Sequence, residues 1–488
     1  MRALRFLVLI LVAAAAAQAQ FINVGSDLQP VIDSLLIQNF GGKAHFQLHS
    51  PTPQEISLVF DEPWEGNACN YVTVFQDGDR YRMYYKGDNL TVGEKLESHP
   101  LVACYAESTD GIHWVKPKLG LFDYEGSTEN NIVWIGAGSH DFAPFIDANP
   151  NCPPETKYKA VANGNSDLVA FISPDGIHWS PLQDGPIITD GAFDSNNIAF
   201  WDPNTQEYRA FIRDFKDGVR DIKMATSKDF ITWTEPVWLD YPGAPTEQLY
   251  TNNIIPYFRA PQIYLGFPTR YVERGWTDST RALPGLENRE NRSKLQERYG
   301  MAITDGLFMT SRDGRTFHRW SETFLRPGIQ RPDTWAYGDN YQCWGVVTTM
   351  SALEGAPDEL LVYATEGYWT GTSSQLRRYT LRMDGFVSVH ASMAGGEIMT
   401  RPLVFEGKEL ALNFATSAAG SIRVEVLDVG AEPIEGFTAD DSTEIFGDEL
   451  ARVVTWKNGN DLSALSGTPI RLRFVMNDAD LYAFQFRP

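Results

Sequence analysis

A seven-residue motif returns along most of this 488-residue chain and dictates a repeat architecture. Ser108-Thr109-Asp110-Gly111-Ile112-His113-Trp114 recurs as Ser173-Pro174-Asp175-Gly176-Ile177-His178-Trp179 and as Ser227-Lys228-Asp229-Phe230-Ile231-Thr232-Trp233. A looser copy is Ser311-Arg312-Asp313-Gly314-Arg315-Thr316-Phe317, and a degenerate one is Met383-Asp384-Gly385-Phe386. Ahead of each copy stands an aromatic, strand-like run: Tyr81–Tyr85, Tyr158–Ala162, Tyr208–Ile212, Ile263–Phe267 and Leu361–Ala364. Each run follows a turn signal such as Asp77-Gly78 or Asp202-Pro203-Asn204, and each turn follows another apolar run. Every unit therefore reads as four strands, A to D. In unit 3, A is about 196–201, B is 208–213, C is 221–227 and D lies near Trp233. Five such units predict an all-β chain with a five-bladed β-propeller. The Asp-Gly-x-x-Trp motif falls in the C–D hairpin, where it makes the tight turn and packs its indole between blades, so it reads as structural.

The repeat stops near residue 388. Leu410–Phe414, Ser421–Val426, Ile470–Phe474 and Leu481–Phe486 then alternate apolar and polar residues, which marks strands with one buried face and predicts a β-sandwich over 389–488. At the other end, Arg2 and Arg5, an apolar run and Ala17-Gln18-Ala19 read as a leader over 1–19, which leaves the propeller at 20–388. The mature chain is expected to be secreted or periplasmic. A net charge of −22 argues against nucleic acid and a basic membrane surface as partners. Cys69, Cys104, Cys152 and Cys343 match no zinc spacing. Disulfides and buried thiols are both open readings for them. No metal or cofactor site is marked. A structural Ca²⁺ in the funnel would use Asp carboxylates and carbonyls, without an EF-hand-like loop.

In a propeller, the start of each strand A and the B–C loops share one face. The predicted residues on that face are Asp61, Glu62 and Glu65 of blade 1, His140 and Asp141 of blade 2, and Asp194 of blade 3. Glu247 of blade 4 and Asp339 and Asn340 of blade 5 complete the set. Carboxylates gathered in one funnel repel one another, so their pKa values separate. Cleaving a glycosidic bond needs that division between a protonated acid and an ionised carboxylate. On the rim, Arg213, Asp214, Glu366, Tyr368 and Trp369 are candidate subsite residues, since sugars stack on aromatic rings. The longest B–C loop, 271–300 in blade 4, holds six basic residues. It is expected to cover the funnel and pair with anionic sugar groups, with Arg274 a substrate contact.

On these motifs the chain resembles the five-bladed propeller glycoside hydrolases, the arabinanase/β-xylosidase and invertase/levanase families. More closely, it resembles secreted glycosidase-like propeller proteins of environmental bacteria, over about residues 30–488. The resemblance implies a nucleophile or base at Asp61 or Glu65. It implies an orienting, acid-tuning role for Asp194 and a general acid at Glu247. It also implies a plant or algal poly- or oligosaccharide as substrate. One rival is a non-catalytic carbohydrate-binding propeller. The other is a sialidase-like enzyme, which would need a Tyr nucleophile, an arginine triad and six blades. The sugar, the stereochemical outcome and the oligomeric state are open at this level.

Overall fold

Blade 3 shows how one repeat folds. Strand A (Ile198–Asp202) turns through Asn204 into B (Glu207–Lys216), and B returns as C (Val219–Ser227). Only two residues, Val237–Trp238, form D. After the Asp229 turn, Trp233 bridges Ser227 where the motif places D, and the regular strand follows at Val237. The computed structural model describes residues 21–488; the expected leader, 1–19, lies outside the described residues. The architecture is all-β, with five four-stranded antiparallel sheets forming a propeller beside a β-sandwich. Strands A are Thr73–Asp77, Ala143–Ile146, Ile198–Asp202, Ile255–Tyr257 and Val347–Thr349. Contacts between neighbouring blades close the ring. Tyr71 meets His140 at 5.3 Å, Asn197 donates to Asp141 at 3.2 Å and Asn196 donates to Asn253 at 2.9 Å. Trp344 donates to the Ile254 carbonyl at 3.0 Å and pairs with Thr73 in a parallel bridge.

Closure differs from the reading of five sequential units. In blade 5 the strands Val347–Thr349, Glu359–Glu366 and Gln375–Leu381 take their fourth neighbour, Thr52–Val59, from the other end of the chain. Residues 22–48, expected at the start of the propeller, pair instead within the sandwich sheets. Ile22–Gly25 runs parallel to Leu403–Phe405, and Ile37–Gly42 pairs with Gly396–Thr400. His45–Leu48 pairs with Val387–Ala391. The backbone of that sandwich is the long antiparallel pair Glu409–Leu427 and Arg471–Arg487. Phe386, at the junction, stacks on Phe308 of blade 4 at 5.3 Å. Its neighbour Asp384 is buried and accepts from Tyr257 at 2.6 Å and Asn413 at 2.8 Å, which ties the two parts together.

The recurrent motif is a fastener. Asp110 accepts from the backbone N–H groups of Ile112 and His113, both at 2.8 Å, and Asp175, Asp229 and Asp313 repeat the pattern. Arg82 of blade 1 donates to the Asp175 carbonyl of blade 2 at 2.7 Å, and Arg209 of blade 3 to the Asp313 carbonyl of blade 4 at 2.9 Å. A second fastener joins strand A of one blade to strand B of the next. Tyr158 donates to Asp77 and Tyr208 to Asp147, both at 2.6 Å, and Tyr264 donates to Asp202. Burial works against ionisation of Asp77, Asp175 and Asp202. The hydrogen bonds they accept win, and hold all three below the ordinary value of 3.8, Asp175 at about 2. A lowered folded pKa supplies stability above the unfolded value and loses it as pH falls through the folded value. The melting temperature is therefore expected to be level above pH 5 and to fall between about pH 4 and 2. A flat profile down to pH 2 would show that these carboxylates do not fasten the blades.

All four cysteines are free thiols, Cys152 half-buried and the others buried. Among the described residues no helix is long and apolar enough to cross a membrane.

Candidate active site

The face where strands A begin is lined by tyrosines. Tyr71 precedes strand A of blade 1, Tyr250 precedes that of blade 4, and Tyr337 and Tyr341 precede that of blade 5. Tyr368 follows strand B of blade 5. All five are buried in one cluster with Trp369, and adjacent rings lie 5.3 to 6.2 Å apart for the Tyr250–Tyr341, Tyr71–Tyr341 and Tyr337–Tyr368 pairs. The Tyr250 and Tyr337 hydroxyls are 3.1 Å apart. Burial first, then the charge of Asp194 and neighbouring phenols, raises their pKa values, so the hydroxyls stay protonated hydrogen-bond donors. The backbone is bent tightly here: Tyr71, Trp335, Asn340 and Trp369 all have φ between 50° and 65°. Such values cost bulky residues on the order of 1 kcal/mol or more and gather where a site needs its groups aimed.

Polar groups are set among these rings. Asp194 is two-thirds exposed, with its carboxylate 3.6 Å from Nε2 of His140. Burial, then the charge of Lys86, lowers the His140 pKa to about 4, so the ring is neutral at pH 7. Asp141 stands behind it, fully buried, accepting from the Asn163 N–H at 2.7 Å and from Asn197. Lys86 lies near the end of strand B of blade 1, and Arg213 lies in the second half of strand B of blade 3. Its ammonium lies 5.6 Å from the Tyr71 ring centre and 5.9 Å from that of Tyr368, and donates to Asp88 at 2.9 Å. Burial works against the charge on Lys86, and the Asp88 carboxylate outweighs it and raises the pKa, so the ammonium stays charged. Arg213 donates to the Ala192 carbonyl at 3.0 Å and lies 5.4 Å from the Tyr250 ring centre.

The expected site residues divide. His140, Asp194, Arg213, Tyr368 and Trp369 come together, with Asp141 and Asn340 buried in support. Asn340 donates to the Thr304 carbonyl at 3.2 Å. Asp214 points to the opposite side of its strand and pairs with Lys223 at 2.6 Å. Asp61 and Glu65 lie away from the ring of tyrosines. Glu65 is fully buried beside strand B of blade 1, held by Tyr85 and Lys116, both at 2.6 Å, and by the Glu62 N–H at 3.0 Å. Asp61 is exposed and touches the same Lys116 at 3.3 Å. Glu65→Gln should therefore cost about 1–3 kcal/mol of stability by removing the buried carboxylate from Lys116, which keeps Asp61 and the Val59 carbonyl, and leave activity per folded molecule unchanged. Denaturant unfolding beside a kinetic assay checks this. Lost activity in a stable variant would return Glu65 to the chemistry.

Glu247 and Arg274 also face elsewhere. A small sheet of Gln248–Leu249, Thr269–Glu273 and Ala302–Gly306 extends blade 4. Its Tyr271 and Ala302 pack into the tyrosine cluster. The alternate residues Arg270, Val272, Ile303 and Asp305 line a separate cavity of about 760 Å³ with Glu247 and Arg274. There Glu247 is clamped by Arg270, at 2.8 Å, and by Arg319. Burial opposes its ionisation, but the two guanidinium groups outweigh that and lower its pKa, which keeps it an anion. Glu366 is held the same way by Arg331 at 2.9 Å and Arg377 at 2.6 Å, with its pKa lowered to about 2. Lys86, Asp88 and the four tyrosines other than Tyr368 are not among the expected site residues. The available signal is the Asn-Tyr pair at 70–71 and 340–341, just ahead of strand A in blades 1 and 5. Among the described residues no group of three or more His, Cys, Asp or Glu is placed to hold a metal ion.

No family model matches this chain. Over 135 residues it is 47% identical to an uncharacterized protein of Mycobacterium tuberculosis strain CDC 1551, covering 27% of this chain and 41% of that relative. An uncharacterized protein of strain H37Rv is 30% identical over 141 residues, with the same coverage. The chain thus spans about two-fifths of the length of the curated relatives it matches. Among solved structures it is similar to an N-acetylgalactosamine deacetylase from F. plautii in complex with blood group B trisaccharide. The TM-score is 0.43 and the identity 15%, over 71% of this chain and 96% of that one. It is also similar to a fructofuranosidase from Schwanniomyces occidentalis complexed with fructosylnystose, at TM-score 0.39 and 12% identity, over 90% and 98% of the chains. An endo-arabinase from Bacteroides thetaiotaomicron gives TM-score 0.38 and 10% identity, over 68% and 98%.

Proposed function

We propose that the tyrosine-lined funnel binds a poly- or oligosaccharide and hydrolyses a glycosidic bond, with Asp194 as the working carboxylate. One observation carries this reading: an exposed carboxylate beside a neutral histidine, at the edge of a tyrosine cluster whose hydroxyls stay protonated donors. Asp194 acts as base towards water or as nucleophile on the anomeric carbon. Asp88 stays ionised against the Lys86 ammonium and holds it in place, so the leaving oxygen takes its proton from solvent. Lys86 and Arg213 donate to sugar hydroxyls. Glu247 does not fill the acid role implied by the family resemblance, because Arg270 and Arg319 hold it as an anion.

A second reading, carbohydrate binding without turnover, is favoured by the state of Asp88. It is only 5% exposed and already bonded to Lys86 and Ser98. Product release from neutral and anionic polysaccharides, with affinity measured in parallel, separates the two. Hydrolysis requires products from the wild type and their loss in Asp194→Asn. Retained ligand without products from any form selects binding.

A further inference from the structure

The B–C connection of blade 4 folds as three short helices, α1 (Asp278–Arg281), α2 (Leu286–Ser293) and α3 (Arg298–Met301). Two arginines of α2, Arg289 and Arg292, are each 1% exposed. Arg289 is satisfied: it donates to the carbonyls of Pro284 at 2.9 Å, Gly300 at 3.2 Å and Trp335 at 2.5 Å, and so staples the helix to the loops around it. Arg292 is not. Its Nε and Nη1 are buried without a hydrogen-bond partner, and no ion pair forms to it among the described residues. The charged and phenolic groups that face it are Arg289, Asp339, Tyr368 and Tyr337. Asp339 is already committed, accepting the N–H of Tyr368 at 2.9 Å and of Ala336 at 3.1 Å. Burial, then Arg289, lowers the Arg292 pKa to about 10, which leaves it a cation at pH 7.

A buried guanidinium without an anion costs several kcal/mol, and a fold keeps one where a ligand completes it. The side chain is aimed at the sugar site, since Tyr337 and Tyr368 belong to the tyrosine ring. Its guanidinium lies 5.4 Å from the Trp369 ring centre. A cleft of about 320 Å³ opens beside the same helix, lined in part by Asn288, Asn291 and Trp369. Of the other arginines of the connection, Arg298 donates Nε to Gln296 at 2.8 Å and Nη2 to Tyr299 at 3.2 Å, with its Nη1 buried and unbonded. Arg281 pairs with Glu290 at 2.8 Å, and Arg274 lines the cavity on the far side of the blade 4 sheet.

We propose that Arg292 recognises an anionic group, the carboxylate of a uronate or a sulfate ester, on a sugar held against Tyr337, Tyr368 and Trp369. This rests on the carbohydrate reading of the funnel and names its substrate class. A planar guanidinium meets either oxyanion with paired N–H donors, which an ammonium does not.

The test is calorimetric titration of the full chain carrying Asp194→Asn, to prevent turnover. The probes are trigalacturonate, its carboxyl-reduced neutral counterpart and a sulfated galactotriose. Arg292→Met and Arg292→Lys are made in the same background. An anionic trisaccharide should bind at least about tenfold more tightly than the neutral one. Arg292→Met should remove that preference by weakening the anionic ligand about 10- to 100-fold, with the neutral one changed less than about twofold. Arg292→Lys should recover part of it. Whichever anion is preferred identifies the group. The unliganded melting temperature of Arg292→Met should be equal to or above that of its parent, because an uncompensated charge has been removed. Equal losses for charged and neutral ligands, or a markedly lower melting temperature, would make Arg292 structural and overturn the proposal. Neutral saccharides that bind without any preference for charge overturn it while leaving the carbohydrate reading intact. Binding of no saccharide at all overturns both.

Discussion

Asp194→Asn is expected to reduce product release by at least about 10³-fold while affinity changes less than about threefold. The substitution keeps the shape of the side chain and removes only its charge and basicity. The residues that would hold the sugar remain in place, since Tyr71, Tyr250 and Tyr341 are packed against one another and not on Asp194. The neighbouring His140, with its pKa lowered to about 4, stays neutral on both sides of pH 6.5. Wild-type turnover should accordingly show no imidazole inflection between pH 6 and 7, and an inflection there would mean that His140 titrates normally. Glu247→Gln is the matched control. It breaks the clamp with Arg270 and Arg319, and so should lower the melting temperature with turnover kept within a few-fold. If Glu247→Gln abolished turnover and Asp194→Asn did not, the chemistry would belong to the arginine-rich cavity of blade 4 and the funnel assignment would fall.

A chain beginning at Pro63 is expected not to reach the native state. It lacks Thr52–Val59, so the Gln375–Leu381 edge of blade 5 is left open, and it lacks the first strands of the sandwich. Val24, Leu28, Val31, Ile32, Leu36, Ile37, Leu58 and Phe60 are all buried and would all be lost. At about 1.5–3 kcal/mol for each such side chain, the loss matches or exceeds the 5–15 kcal/mol that holds a typical domain together. Near-UV circular dichroism and soluble yield check this. A truncated chain with a native spectrum and a melting temperature within a few degrees would show that the amino-terminal strand is dispensable for closure.

The blades were legible in the sequence because their signals are local. Asp110-Gly111, Asp175-Gly176 and Asp313-Gly314 each make a turn whose bonds stay within three residues, so a short window contains the whole device. The fourth strand of blade 5 was illegible for the opposite reason: Leu58 pairs with Leu376, and no local pattern announces so distant a partner. The acids were hardest. Whether Glu247 faces the funnel or the outer cavity turns on which side of a short strand it occupies, and one residue of register reverses that. An acid placed before strand A reads the same whether it ends in solvent, as Asp194 does, or against Lys116, as Glu65 does. Arg292 sits in a polar stretch that reads as solvated, and only the folded helix shows that its guanidinium is buried.

The path of the chain through both halves has a consequence for its synthesis. The segment Arg471–Arg487 pairs with strands on both sides, and with residues 29–30 near the opposite end. As the polypeptide leaves the ribosome, its first strands have nothing to pair with until residues 387–405 emerge, and residues 29–30 wait for 483–484. Contacts of such large sequence separation make for slow folding. A nascent chain interrupted in its final strand leaves the sandwich unfinished. With the sandwich open, the segment that anchors Thr52–Val59 as it enters blade 5 is loose as well. Completion of the polypeptide and closure of blade 5 are thereby coupled.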